Sequence, residues 1–584
     1  MSLFRDNPDL QFHIQHGIRW ESFVPLWEEG FRFPDGPGSL AEAREGYEAS
    51  LAELGEFAAR EIVPRAREID AEGVSFVGGQ VVQPKGLLQN IEGLKRLGVM
   101  APNLPREHGG LNLPFCVGAA MMEMLSRACT NTLLLWVFHQ SPAVTILRFG
   151  SADQIERWVR RLAAGEISGS VAMTEPDAGS DLGQVRASAR PEGEHWRLSG
   201  RKQFITNGCG DVCVVLARSE EGSQGLEGLS LFVVPRVENG RDNYRVAKPE
   251  TKFTIRGSAT CELSFEGSCA ELLGPRGAGF SEILTFMNEA RLAVAIQGLG
   301  ISQAALEAAR GYAAQRVQMG RPIAKHELVA DLLLDMEAEV CALRALVYRC
   351  AELQDRVIGL TRGALLRREK LAKTPELARV EHELRDRTPL LKWFGAERAL
   401  WVARSAVQIH GGYGVVHEYD VERHYRNALI LPIYEGTSQI QALMSLKDQV
   451  KWALASPGRL LSGPVSVEAP HDPRGDAVLD LAREYNRAFR YALRESVGAV
   501  ALVRAALGRG EPDRAALGYA LLSAERLCAM LAYTRAAEAL VATATTDARR
   551  RIADRFLHRA LPLVGMHGEI VRSGDRSTLE ALGA

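Results

Sequence analysis

The stretch WRLSGRKQFITNGCGDVCVVLA, residues 196–217, carries two short segments joined by an Asn-Gly turn. WRLSGRKQFI (196–205) and DVCVVLA (211–217) are rich in β-branched and aromatic residues, which predicts strands. LSLFVVPR (229–236) and TCELSFE (260–266) extend the pattern, separated by Gly-rich turns, so 166–275 reads as a small β domain. On its N-terminal side the pattern is helical. Ser39 and Glu42 form a capping box, and Leu51, Leu54, Ala58 and Ile62 recur at helical spacing, predicting a helix up to Pro64. Helical patterning continues to about Gly165, with a break at Pro102–Pro114, giving a domain over 39–165. On the C-terminal side a proline-free helical run spans Ile283 to Arg316, and others lie at 325–356 and 390–409, within a domain over 276–452. The densely charged 358–389 predicts an exposed helical hairpin or loop. Pro457, Pro464, Pro470 and Pro473 mark a linker at 453–475, and 476–584 is helical again. Residues 1–38, with Trp20, Trp27 and the Pro-Asp-Gly-Pro-Gly run at 34–38, read as a docked arm.

Bulk properties narrow the class. The 584 residues contain 70 Lys+Arg and 72 Asp+Glu, a net charge of −2. That excludes a strongly basic nucleic-acid protein and a highly charged disordered chain. Nine scattered cysteines show no secreted disulfide framework. Residues 1–20 have no apolar signal core, and no stretch reaches 18 uninterrupted apolar residues. The expectation is a cytoplasmic protein without a membrane span.

Three further segments are more specific: VAMTEPDAGSD (171–181), QFITNG (203–208) and VQIHGGYGVVHEYDVERHYRNALILPIYEGTSQIQ (407–441). Their order and spacing closely resemble the acyl-CoA dehydrogenase family of flavoproteins, over about 45–450. The resemblance implies an α+β, mostly α fold: an N-terminal helical domain, a middle β domain of barrel or sandwich type, and a C-terminal four-helix bundle. To these the chain adds a further helical domain. It also implies FAD as cofactor, an acyl-CoA substrate, and an electron-transfer flavoprotein as partner. The reaction would be α,β-dehydrogenation to the trans-2-enoyl-CoA. Removing a weakly acidic α proton needs a positioned base, and removing the β hydride needs a two-electron acceptor that no side chain provides.

The resemblance assigns the base to Glu435. Gly436 lets backbone approach the thioester. The strand Val171, Met173, Thr174 would run past the flavin, with Gly179 and Ser180 in a phosphate-binding turn that also borders substrate. Phe204, Ile205 and Thr206 would flank the ring, Phe204 standing where the family often has Trp. Arg316, Gln318 and His326 would reach a neighbouring subunit's FAD, joined by Gln408, Gly411 and Gly412. Thr437 and Gln439 would return to the phosphates. Asn288 and Arg291 match the substrate-contacting turn of a long helix, where Arg291 would support the pocket or the CoA moiety; the lesser alternative is a helix-surface salt bridge with Glu289 or a neighbour. Glu327 is a departure, because a carboxylate near phosphates is unfavourable unless paired. Sharing of FAD implies a homo-oligomer, most simply a dimer.

Other features read as structural. Cys209 with Cys213, and Cys261 with Cys269, lack the partners of a zinc site and read as core cysteines. His410, His417 and His424 recur every seven residues, but glycines break any common helix face, so no metal is expected. Met121, Met122 and Met124 read as core. The stretch 451–584 has 19 basic and 15 acidic side chains. Its stripe of Arg551, Arg555 and Arg559 reads as a solvated or salt-bridged face among Asp547 and Asp554, rather than a nucleic-acid surface. An acyl-CoA oxidase using oxygen, or a DNA-associated flavoprotein without enzymatic activity, are the alternatives on the same fold.

Overall fold

The computed structural model describes residues 2–367, 369–498 and 517–583. The helical reading of 499–516 lies outside the described residues. The chain divides into two compact units, residues 1–11, 20–290 and 358–371 in the first, and 12–19, 291–357 and 372–584 in the second.

In the first unit, helix α1 (Leu40–Phe57) starts where Ser39 Oγ accepts from Glu42 N–H at 3.2 Å. The Glu42 carboxylate takes the Gly38 N–H at 2.8 Å, so the capping box is shared with the preceding residue. The helix does not stop at Pro64. A π turn at Ala58–Ile62 leads into α2 (Val63–Glu72), where Pro64 occupies the first turn and forfeits no helical bond. A hairpin of Ser75–Val77 with Gln80–Val82 follows. Next come α3 (Lys85–Arg96), α4 (Phe115–Phe149) and α5 (Ala152–Ala163), with the expected break before α4. Helix α4 bends at Cys129, whose φ of −161° and ψ of 106° leave the helical region. Met121, Met122 and Met124 are buried on α4.

The β domain contains β1 (Gly169–Ala172), β2 (Ser188–Glu192), β3 (His195–Thr206), β4 (Val212–Arg218), β5 (Leu229–Pro235), β6 (Arg245–Pro249) and β7 (Thr260–Leu273). The order is β6-β7-β3-β2-β4-β1, and β5 pairs with both β7 and β4, which closes a ring. Alternation along β3 sends Trp196, Leu198 and Lys202 inward. The interior holds Val215, Phe232, Leu263 and Phe265, each worth about 1.5–3 kcal/mol of burial. Lys202 is fully buried there. Its Nζ lies 2.7 Å from Glu175 Oε1 and 2.9 Å from the Met173 carbonyl. Glu175 also accepts from the Arg186 and Ala187 amides, so this interior charge is fully bonded.

Glu282 is the contrasting case. Burial alone pushes its carboxyl up to about 7. A folded value above the unfolded one favours the protonated form, so folding stability falls as pH rises from about 4.5 to about 7. Glu282→Gln is therefore expected to add about 1–2 kcal/mol at pH 8 and nothing at pH 4, read from urea unfolding at the two pH values.

The second unit is built from α6 (Gly279–Gln315) beyond residue 290, α7 (Glu327–Arg367) up to residue 357, α8 (Pro375–His410), α9 (Val421–Ala428) and α10 (Ser438–Leu454). It continues with α11 (Pro473–Val497), α12 (Ala524–Ala542) and α13 (Asp547–Arg572). Helix α12 packs on α8 and α10, so the added region joins the bundle rather than standing apart. Phe394 meets Tyr533 edge-on at 5.3 Å, and Arg398 donates to the Tyr533 hydroxyl at 2.9 Å. The reading of 358–389 as wholly exposed is corrected here. Asp386 and Arg387 are buried because α12 brings Arg535 and Glu538 against them, at 2.8 Å and 3.1 Å respectively. Arg555 and Arg559 of the arginine stripe are salt-bridged, but to acids other than Asp547 and Asp554, while Arg551 is exposed. Arg555 reaches Asp331 at 2.6 Å and also Asp335, and Arg559 pairs with Asp335. Asp547 pairs with Arg550, and Asp554 with Arg474.

Within the arm, Trp20, Phe23 and Trp27 are buried in the first unit, where Glu28 pairs with Arg106 at 2.8 Å. In the second unit His13 stacks on Tyr348 at 5.2 Å. Helix α6 is long and apolar enough to cross a bilayer, yet 83% of its most apolar stretch is buried inside the protein.

Candidate active site

In the second unit the loop between α9 and α10 carries Glu435. Two consecutive residues there are left-handed, Glu435 at φ 54° and Gly436 at φ 87°. For a glutamate that conformation costs about 1–3 kcal/mol and persists only where the surroundings impose it. Lys392, buried on α8, donates to the Leu431 carbonyl at 2.8 Å and the Gly436 carbonyl at 2.7 Å. Gln441 Nε2 donates to the Glu435 and Gly436 carbonyls, both at 3.2 Å. Its amide lies 2.5 Å from where a Cβ on Gly436 would fall, and the left-handed φ of 87° favours glycine there. Thr437 caps α10, its Oγ accepting from Ile440 N–H at 3.2 Å. Tyr434 donates to Gln297 on α6, which fixes the other side of the loop.

The electrostatics are those of a tuned carboxylate. Burial pushes the Glu435 carboxyl above its ordinary value, and Arg291 and Lys392 pull against that rise. Burial lowers Lys392 to about 8, with Glu435 and Glu397 opposing. Arg291 is 2% exposed and faces Glu435. Glu289, in the first unit, pairs with Arg148 at 2.9 Å. A carboxylate raised by desolvation and faced by two cations is the kind of perturbed acid that marks a proton-transfer site.

A second feature of this unit is a cavity of about 710 Å³. Arg316, Gln318, Gly411 and Gly412 line it together. So do Tyr312, His410, Tyr413 and Tyr419, which sequence reasoning did not single out for this cavity. Tyr312 stacks on His410 at 4.3 Å, and Arg316 lies 5.8 Å from the Tyr413 ring centre. The signal was present in HGGYGVVHEY, but Tyr312 sits a hundred residues earlier on α6, and only folding joins them. His326 Nε2 donates to the Gln318 carbonyl, 3.1 Å away, just outside the lining. Arg321 pairs with Glu327 at 3.2 Å, which answers the concern over that carboxylate. Gln408 does not line the cavity. Gln439 reaches toward Glu525 at 3.4 Å, on the start of α12.

In the first unit, segments 171–181 and 203–208 meet. The Gln203 amide donates to the Thr174 carbonyl at 2.9 Å, placing Met173 and Thr174 beside Phe204 and Thr206. A bulge in the β3–β7 register accompanies a φ of 60° at Phe204, and this aromatic is 60% exposed. Ile205 and Val171 are buried in core clusters, so their side chains face inward and only their backbone is offered to a ligand. Gly179 and Ser180 are exposed, with open space around Gly179. An aromatic face held outward by strained backbone, beside an open Gly-Ser turn, suits a planar ring with an attached phosphate. Asn288 lies on α6 in this unit.

Comparison with known proteins places these observations. The family models for the acyl-CoA dehydrogenase N-terminal, middle and C-terminal domains match residues 45–166, 170–268 and 277–449. The 3-methylmercaptopropionyl-CoA dehydrogenase of Ruegeria pomeroyi is 34% identical over 458 residues, covering 74% of each chain. The mitochondrial short-chain specific acyl-CoA dehydrogenase of Homo sapiens is 34% identical over 409 residues, 69% of this chain and 90% of that one. The crystal structure of an acyl-CoA dehydrogenase complexed with FAD from Bacillus anthracis matches with a TM-score of 0.74. It covers 90% of this chain and 88% of that one at 23% identity, a likeness of fold.

Proposed function

The chain belongs to the acyl-CoA dehydrogenase family, an oxidoreductase family acting on acyl-CoA, and we propose that it converts an acyl-CoA thioester to the trans-2-enoyl-CoA with Glu435 as the base. FAD, when bound, supplies the two-electron acceptor for the β hydride. The observation that carries this reading is the Glu435 loop: a left-handed glutamate, pinned by Lys392 and Gln441, raised by burial and faced by Arg291. Such a carboxylate is aimed before substrate arrives, which is what proton abstraction from carbon requires. Phe204, Thr206, Thr174 and the Gly179–Ser180 turn would hold the flavin, and the cavity at Arg316 and Tyr413 would take the nucleotide end from a second copy. Met319 and Leu328, 94% and 87% exposed in the single chain, support pairing of copies at this end. Electrons would leave to an electron-transfer flavoprotein.

The test is anaerobic titration of the purified flavoprotein with acyl-CoAs, from butyryl to octanoyl and including 3-methylmercaptopropionyl. Bleaching of the flavin by one acyl class supports the proposal. A flavin that stays oxidised with all of them refutes it.

Lys392 provides a second check on the same loop. With Lys392→Met, the pull that lowers Glu435 is lost and burial acts with less opposition. The acid limb of the flavin-reduction rate against pH is then expected to move to higher pH, with the maximal rate reduced about tenfold as the loop loosens. An unmoved limb would show that Lys392 does not act on Glu435.

A further inference from the structure

The first unit has a second cavity, of about 490 Å³, that the proposed reaction does not use. The hairpin and Gln83 form one wall, Glu92 and Lys95 of α3 and His139 of α4 another, and Asp211 and Arg236 the floor. Cys209 lines it too. Of the nine cysteines seven are buried, and only Cys209 and Cys269 are half-buried. Behind Cys209 lies Cys261, fully buried on β7. The turn that follows β3 brings the two together. The Asn207 amide donates to the Ala259 carbonyl at 2.8 Å, and a Cβ built on Gly208 would stand 3.0 Å from the Cys261 Cβ. Cys209 packs against the core cluster that contains Cys261. Cys209 and Cys261 thus form a pair that their sequence spacing, with Cys213 and Cys269 as the nearer neighbours, does not reveal.

We propose that Cys209 and Cys261 are a peroxide-responsive pair: a hydroperoxide entering the 490 Å³ cavity oxidises Cys209, and Cys261 closes a disulfide onto it. Reactive thiols sit in partly exposed sites next to a second thiol, and Cys209 meets both conditions. Gln83 Nε2 approaches its Sγ at 3.8 Å, and the Arg236 guanidinium and the Cys261 S–H both favour its thiolate. Asp211, Glu92 and Glu166 share the cavity lining with Arg236 and Lys95. Cys209 opens on the cavity and Cys261 is fully buried behind it, so Cys209 is the nucleophile and Cys261 the resolving thiol.

The chemistry balances. The Cys209 thiolate attacks one peroxide oxygen; the S–O bond forms, the O–O bond breaks, and hydroxide leaves to become water. The Cys261 sulfur then attacks the sulfenic Cys209 sulfur. The S–S bond forms, the S–O bond breaks, and the departing hydroxide takes the Cys261 proton as water. Two thiols lose two electrons and one hydroperoxide is reduced.

The test uses the full-length flavoprotein, reduced, desalted and exposed to one equivalent of hydrogen peroxide. Samples are quenched at intervals, denatured in N-ethylmaleimide and mapped by mass spectrometry. Cys269, half-buried with its thiol raised by burial, is the internal comparison. Cys209 and Cys261 are expected to lose label together at least ten times faster than Cys269. They should appear as one cross-linked peptide and regain label after dithiothreitol. In Cys261→Ser, Cys209 is expected to accumulate as a dimedone-trapped sulfenic acid. Equal rates at Cys209 and Cys269, or Cys209 oxidation with Cys261 still fully labelled, would overturn the proposal. The wild-type rates decide the matter even if the variant folds poorly, and neither readout depends on acyl-CoA turnover.

Discussion

Glu435→Gln is expected to slow anaerobic flavin reduction by acyl-CoA on the order of 10³–10⁴-fold, the size of a general-base contribution. Glutamine keeps the length and shape of the side chain, and the left-handed backbone is imposed from outside by Lys392 and Gln441. The loop should therefore survive, and flavin content and acyl-CoA affinity should change little. The wild-type rate should fall as pH drops through a value above the ordinary glutamate range, because burial raises the folded carboxyl. The variant should show no such limb. The same shift has a stability consequence. A raised folded value means the charged form is disfavoured in the folded protein at neutral pH, so the glutamine variant should be no less stable at pH 7. Reduction by the variant at near wild-type rate would remove Glu435 from the role of base.

Arg535→Met is expected to cause the largest loss of stability, about 3–5 kcal/mol, by leaving buried charge without its main partner. Arg535 reaches Asp386 through Nε at 2.9 Å and Nη2 at 2.8 Å, the Ser466 carbonyl at 2.9 Å and Glu538 at 3.1 Å. Gln449 donates to the other Asp386 oxygen at 2.6 Å. Burial pushes Asp386 up, but Arg535 and Arg387 outweigh it and hold the carboxyl below its ordinary value. In the wild type this carboxylate stabilises the fold above its unfolded value and the benefit is lost in acid. Without Arg535 the sign reverses: burial prevails, and the protonated acid is the better tolerated form. Chemical denaturation should thus show a penalty that shrinks as pH falls. Adding Asp386→Asn to the variant should recover part of the loss at pH 7. A loss under 1 kcal/mol at pH 7 would mean that Arg387 and Gln449 suffice for Asp386. Because these residues tie α8 to α12, the variant also measures how strongly the added helices support the bundle.

Several readings failed for reasons that lie in packing. Pro64 was a stop signal for a regular helix, but a π turn restarts the helix there and makes the proline a first-turn residue. The charges at 386–387 had the composition of a solvated hairpin, and became interior because α12, some 150 residues later, supplies their counter-charges. The stripe of Arg555 and Arg559 was correctly paired in kind, but its acids lie on α7 rather than on its own helix.

What the sequence by itself determined is local or carried by motif. The alternation in 196–217 and the helical spacing on either side set the helical, β, helical order, because side-chain periodicity is a property of a single element. YEGTSQIQ, TEPDAGSD and QFITNG named the family and put forward Glu435 as the candidate base, because each motif lies within a few residues of chain. The tertiary structure alone decided what depends on elements distant in sequence. It put Lys392 and Arg291 against Glu435, Tyr312 against His410 and Tyr413, and Cys261 behind Cys209. A charge or a thiol acquires its reactivity from the dielectric and the partners around it, and no spacing along the chain encodes those.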